Sequence, residues 1–163
     1  MALTVEDGTG VAGANSYVSL DEVRAYALDR GATLPQNGPS PDTSGDVAVT
    51  ALTIRAVDYL ESRRYKGSKQ FVGNLQWPRI DVNIDGLDLP VGTIPDNLKK
   101  AQCQLVIELL TIDPLKSSTS QIKYQKLESI EVGFTKDSSP TMPKVDALLR
   151  PLCLPMLISV DRA

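Results

Sequence analysis

Apolar side chains return at two spacings along this chain, and the three-and-four spacing dominates. Leu20, Val23, Ala27 and Leu28 form one stripe that predicts a helix through about Arg30. Ser19-Leu20-Asp21-Glu22 opens it as a capping box: the Ser19 hydroxyl can accept from the Glu22 amide while the Glu22 carboxylate reaches back to the Ser19 amide. Gly31 is placed to end it in the left-handed conformation. A second stripe, Ala48, Ala51, Leu52, Arg55, Ala56, Tyr59 and Leu60, predicts a helix capped by Ser44 or Asp46, with Arg63 and Arg64 at its end and Lys66-Gly67 as its stop. Pro95 and Asp96 open a third helix, whose face is Leu98, Ala101, Leu105, Leu109 and Ile112, up to Asp113-Pro114. Pro143 starts a fourth through Val145, Leu148 and Leu149, ending before Pro151.

Between the helices the period is lost or changes. Residues 1–18, rich in Gly, Ala and Thr, read as an extended or looped arm, and 32–45, dense in Pro, Gly and small polar residues, as a surface loop. Residues 66–94 make a loop long enough that it must pack tightly or act, and Trp77 is its natural anchor. Ile122, Tyr124 and Leu127, then Ile130, Val132 and Phe134, alternate as a short strand pair within 121–135. The segment 151–163 is strongly apolar for a terminus. The expected fold is mainly α: a small bundle of about four helices with a short β-strand pair and extended N- and C-terminal arms. It forms one domain over 1–163, with its helical core at 19–150.

Composition narrows the function more than the fold. At 163 residues, with 42% hydrophobic and 23% charged residues, the chain has the make-up of one ordinary globular domain. No apolar run reaches the length of a membrane helix, and acids stand where a secretory signal would carry bases, so synthesis in a cytoplasm is expected. Cys103 and Cys153 read as two reduced thiols. Seventeen basic against twenty acidic side chains give a net charge of -3, which weighs against a protein that holds nucleic acid mainly by neutralising phosphates. The chain has no histidine, which removes histidine-based triads, proton shuttles and histidine metal sites. No carboxylate pair is placed by a motif, so no catalytic residue, cofactor or metal set is expected.

Three motifs carry candidate chemistry. Gly8-Thr9-Gly10-Val11-Ala12-Gly13 has the spacing of a dinucleotide fingerprint, but it lacks a preceding strand and a following apolar helix, and reads as a flexible glycine arm. Asp81-Val82-Asn83-Ile84-Asp85-Gly86 matches the first half of a calcium loop. Gly92 stands where the bidentate glutamate belongs, so an Asx-rich turn is favoured and cation binding by Asp81–Asp85 stays open. Arg63, Arg64, Lys66 and Lys69, with Tyr65 and Phe71 among them, could form a basic stripe with stacking platforms for single-stranded nucleic acid. The favoured reading is a solvated helix end whose aromatics pack inward.

Taken in order, several blocks resemble a known family. They are Asn15-Ser16-Tyr17-Val18-Ser19-Leu20-Asp21-Glu22, then Ala51-Leu52 with Arg55-Ala56 and Tyr59-Leu60, then Lys66-Gly67 and Leu75-Gln76-Trp77-Pro78-Arg79. Asp85-Gly86, Ile94-Pro95, Lys126, Ile130-Glu131-Val132 and Val145-Asp146-Ala147-Leu148-Leu149 follow. Together they resemble the head-tail adaptors of tailed bacteriophages, a family often catalogued as DnaT-like single-stranded-DNA-binding proteins. The Trp-Pro-Arg block is the most specific element.

The resemblance implies a non-enzymatic virion protein in the neck. Its copies form a ring, commonly of twelve, that docks on the portal protein and joins tail or neck proteins, while genomic DNA passes through the lumen without specific binding. No membrane is involved. Leu152, Leu154, Met156, Leu157 and Ile158 are then the expected portal-docking side chains, since each exposes about 2 kcal/mol of apolar burial. Tyr17, Trp77, Pro78 and Arg79 are the expected structural or subunit-contact residues, with Arg79 bonding nearby carbonyls or a carboxylate. A single-stranded-DNA-binding module is the alternative.

Overall fold

The computed structural model describes residues 2–36, 45–72, 75–112 and 142–154. Among them are four helices, α1 (Leu20–Asp29), α2 (Gly45–Glu61), α3 (Asp96–Glu108) and α4 (Pro143–Leu149). Two antiparallel strand pairs accompany them: β1 (Ser68–Lys69) with β2 (Arg79–Ile80), and β3 (Asn83–Ile84) with β4 (Leu87–Asp88). The mainly helical class expected from the pattern is the class observed.

The helix ends are set by local chemistry. Both halves of the Ser19–Glu22 capping box form, with Ser19 N–H donating to Glu22 Oε2 at 2.6 Å and Glu22 N–H to Ser19 Oγ at 3.2 Å. At the other end of α1, Gly31 takes φ 64°, and the Gly31 and Ala32 amides fold back onto the Leu28 and Ala27 carbonyls. That is the Schellman arrangement, which needs a residue free to adopt positive φ.

α3 lies at the centre and packs against α1, α2 and α4. The sequence pattern gives it one apolar face. In the structure every residue from Ala101 to Val106 is buried, because neighbours surround the helix. Two of these are glutamines. Gln102 is wholly enclosed, and its amide bonds Ser16 Oγ at 2.9 Å, the Thr53 carbonyl at 3.1 Å and, as acceptor, the Tyr17 amide at 2.9 Å. One side chain thereby ties the N-terminal segment, α2 and α3 together while leaving none of its polar atoms unsatisfied.

The face of α2 agrees with expectation at Ala56, Tyr59 and Leu60, which are buried, and differs where Val49, Thr53 and Val57 are buried while Ala48 and Ala51 are exposed. Thr53 breaks the apolar pattern, yet its hydroxyl donates to the Val49 carbonyl at 2.7 Å, which makes a polar residue acceptable on the core side. Pro95 is the N-cap of α3 instead of its first helical residue, and Ile112 lies beyond the end of that helix, partly exposed.

Residues 2–18 are not an extended arm. Val5 bridges Ser16, Glu6 N–H donates to the Ser16 carbonyl at 2.8 Å, and Thr4 N–H donates to Asn15 Oδ1 at 2.8 Å, closing a compact loop on the core. Tyr17 and Val18 then enter the core outright. Residues 66–94, expected to lack regular structure, hold all four strands. Asp85-Gly86 forms the two-residue turn between β3 and β4, with φ 53° and 88°, the positive pair that a type I′ hairpin requires. The strand pair expected at 121–135 lies outside the described residues.

Candidate functional site

The most specific sequence block proves to be the centre of a polar network beneath the long loop. Trp77 is fully enclosed, its ring meeting Tyr65 edge-on at 5.6 Å, and Pro78, joined to it by a cis peptide, is buried as well. The Tyr17 hydroxyl donates to Glu61 Oε1 at 2.5 Å and accepts the Trp77 amide at 3.2 Å. Glu61, the last residue of α2, also accepts the Gln76 amide, at 2.8 Å on Oε2 and 3.0 Å on Oε1. The entry into the Trp-Pro-Arg block is therefore held by one carboxylate and one phenol.

Arg79 fixes the exit. Its Nε donates to the Lys66 carbonyl at 2.7 Å, Nη2 to the Gly67 carbonyl at 2.6 Å, and Nη1 to Gln76 Oε1 at 3.0 Å. A planar fork of donors can meet several carbonyls at once, and a lysine cannot. Of the two partners expected for Arg79, the carbonyls are its bonding partners, and Glu61 acts on it through charge alone. Gly67 must approach β2 closely, since a Cβ there would stand 2.2 Å from the Ile80 carbonyl oxygen.

Burial sets the electrostatics here. It raises the pKa of Glu61, with the Tyr17 and Gln76 hydrogen bonds and the Lys69 and Arg79 charges working against it. Burial likewise pushes the Tyr17 phenol up, reinforced by the Glu61 charge, and lowers the guanidinium of Arg79 from its ordinary value. Tyr17, Trp77, Pro78 and Arg79 are thus brought together, all of them inside the chain.

The glycine run near the N-terminus also closes on itself. Gly8 and Gly10 N–H groups both donate to Glu6 Oε1, at 2.9 and 2.8 Å, so a carboxylate of the chain occupies the cradle that a fingerprint of this spacing would offer to a phosphate. Glu6 is fully buried. The expectation of a flexible arm is corrected by this geometry, and no hydrophobic pattern could have shown it.

In the Asp81–Asp85 segment, Asn83 Oδ1 accepts the Gly86 amide and Asn83 Nδ2 donates to Asp88 Oδ1. The oxygen spacing serves the hairpin. No group of three potential metal-ligating His, Cys, Asp or Glu residues occurs among the described residues.

The basic stripe is broken up by the fold. Tyr65 is buried and donates to the Leu60 carbonyl at 3.0 Å, Arg63 pairs with Asp146 at 2.9 Å while covering the Tyr59 ring, and Phe71 lies against Gly10. Arg63 and Lys66 instead line a cleft of about 630 Å³ with Asp146, Leu149, Arg150, Cys153 and Leu154.

The docking residues expected in the C-terminal segment divide. Leu152 is fully buried, so its side chain is not available to a partner, contrary to expectation. Its carbonyl accepts the Lys66 amide at 2.9 Å, and the Leu154 amide donates to the Arg64 carbonyl at 2.9 Å, which turns 152–154 into a strand-like cover on the chain after α2. Leu154 is half exposed. Met156, Leu157 and Ile158 lie outside the described residues. No helix among the described residues is long and apolar enough to cross a membrane.

Fold and network define a small helical domain whose strongest polar constellation is internal, bracing a long loop against the end of α2. The chain belongs to the family described as "Putative DnaT-like ssDNA binding protein", whose model matches residues 1–162. No curated protein and no solved structure matches it.

Proposed function

We propose that this chain is a non-enzymatic structural subunit, the head-to-tail adaptor of a tailed-phage virion. It forms a ring in the neck that docks on the portal and meets tail or neck proteins, leaving a channel for the genome. The observation that carries this reading is the fate of the Trp77-Pro78-Arg79 block. The most specific part of the likeness to such adaptors is used wholly for bracing a loop, as suits a scaffold that presents surfaces to other proteins. Exposed Val72, Leu87, Val91 and Leu154 supply apolar contact points on those surfaces. A net charge of -3 fits a channel wall that lets DNA slide. Assembly would take place in the host cytoplasm.

The family description favours the second reading, a single-stranded-DNA-binding module, over the adaptor. Against it stand, among the described residues, the enclosed rings of Tyr17, Tyr59, Tyr65 and Trp77, with the half-buried Tyr26 covered by Arg30 and the half-buried Phe71 set against Gly10, since sequence-tolerant binding of single strands relies on exposed aromatic faces.

One experiment separates the two. The purified chain is mixed with its cognate portal and imaged by cryo-electron microscopy, while oligo(dT) is titrated across a salt series. A ring stacked on the portal supports the adaptor. A bare portal together with DNA binding that weakens steeply with salt supports the module. Truncation after Leu154 then asks whether Met156, Leu157 and Ile158 are needed for portal docking. The cut leaves the buried Leu152 and its backbone bonds in place.

A further inference from the structure

The groove between the end of α2 and α4 runs against the charge of the chain. In a protein of net charge -3, it gathers Arg63, Lys66 and Arg150 around a single acid, Asp146, above the buried Leu149 and beside the half-exposed side chain of Leu154. Arg150 is exposed, and Lys66 is partly so. Such a surface matches an acidic segment that also carries an apolar side chain. The chain contains one. The β3–β4 hairpin exposes Asp81, Asp85 and Asp88, and Leu87 beside its turn is 77% exposed. The type I′ turn and the Asn83 side chain hold this hairpin in one shape before any contact is made, which lowers the ordering cost of docking. Leu87 is largely exposed and no hairpin residue lines the groove, so among the described residues the hairpin does not fill its own groove.

We propose that copies of this chain associate head to tail, the β3–β4 hairpin of one copy seating in the α2–α4 groove of the next, with Leu87 against Leu154 and the hairpin acids facing Lys66 and Arg150. Two different surfaces of one chain that fit each other make a heterologous contact, which closes into a ring or runs on as a filament. The proposal deepens the adaptor reading by naming the surfaces that join subunits, and its test is kept separate from portal binding. Among the described residues the groove has no exposed ring on which a base could stack and contains Asp146, so a peptide segment fits it better than a nucleic acid strand does.

The test uses two full-length variants, Arg150→Glu, which spoils the groove, and Leu87→Lys, which spoils the hairpin. Both sites are exposed, and circular dichroism confirms that each variant folds. In sedimentation velocity at low salt, wild type is expected to form oligomers that grow with concentration, while each variant associates about tenfold more weakly or worse. The equimolar mixture is expected to give a heterodimer and nothing larger, because one intact groove meets one intact hairpin. Variants that assemble like wild type overturn the proposal, as does a mixture that stays monomeric. Assembly that appears only when oligo(dT) is added also overturns it and assigns the groove to phosphate. A wild-type chain that stays monomeric at high micromolar concentration yet docks on the portal overturns this contact while leaving the adaptor reading in place.

Discussion

The Tyr17 hydroxyl sits between two segments distant in sequence, donating to Glu61 at the end of α2 and accepting from the Trp77 amide. Removing it in Tyr17→Phe leaves a half-buried carboxylate oxygen and a buried amide each one partner short. The expected cost is about 1–3 kcal/mol, from the penalty of unsatisfied buried groups. Urea unfolding checks it; an unchanged midpoint would show that the bond contributes nothing net.

Glu61 gives the chain a signature in pH. Burial raises its folded pKa, so across a window that opens near pH 4 the folded state binds more protons than the unfolded one. Stability therefore falls as pH rises through that window and levels off above the folded pKa. Glu61→Gln has no such slope, so its stability relative to wild type should improve from pH 4 upward. Parallel stability curves for the two proteins would refute this.

Trp77→Ala should cost about 3–5 kcal/mol, the usual range for emptying a large core site, and should lower Tm by roughly 10 °C in a domain of this size. Arg79→Lys is smaller in volume change but leaves the carbonyls of Lys66 and Gly67 short of a donor, so it should cost about 2 kcal/mol. Hydrogen exchange should locate the loosening at residues 66–80 in both.

Two glycines of the N-terminal loop predict different penalties. At Gly8 (φ 102°) an added Cβ would stand 1.8 Å from the Gly92 carbonyl oxygen, whereas at Gly13 (φ 72°) it would meet nothing within 4 Å. Gly13→Ala should cost only the conformational strain, about 1 kcal/mol, and Gly8→Ala clearly more, since two loops must separate. Thermal melts rank the pair, and equal shifts would contradict the contact.

The two thiols should differ in reactivity. Burial pushes the Cys103 pKa up to about 12, and Cys153, only half buried, is raised as well. Ellman's reagent at pH 8 should reach Cys153 slowly and Cys103 only after denaturation. Rapid reaction of both in the native protein would show that the core opens readily.

How much of this was legible beforehand depends on the range of the interaction. The Ser19–Glu22 box, Gly31, the Pro143 start of α4 and the Asp85-Gly86 turn follow from contacts within a few residues, and each took the form its residues dictate. The choice of Trp77 as anchor also agrees with its place in the core. The stripe of α2 is legible at Ala56, Tyr59 and Leu60 but not at Thr53, which is buried through a bond to its own helix where a hydrophobic pattern scores it as exposed.

What the sequence alone determined was the helical class, most helix boundaries and the lack of histidine chemistry, because these rest on composition and short-range backbone bonding. Tertiary structure alone decided that residues 2–18 are folded, that Glu6 fills its own glycine cradle, that Leu152 faces inward and that Gln102 joins three segments. Gln102 and Leu152 are held by partners up to 86 residues away in the chain, a distance no local pattern carries, and the Glu6 cradle, though closed within four residues, is a polar contact that leaves no mark on a hydrophobic pattern.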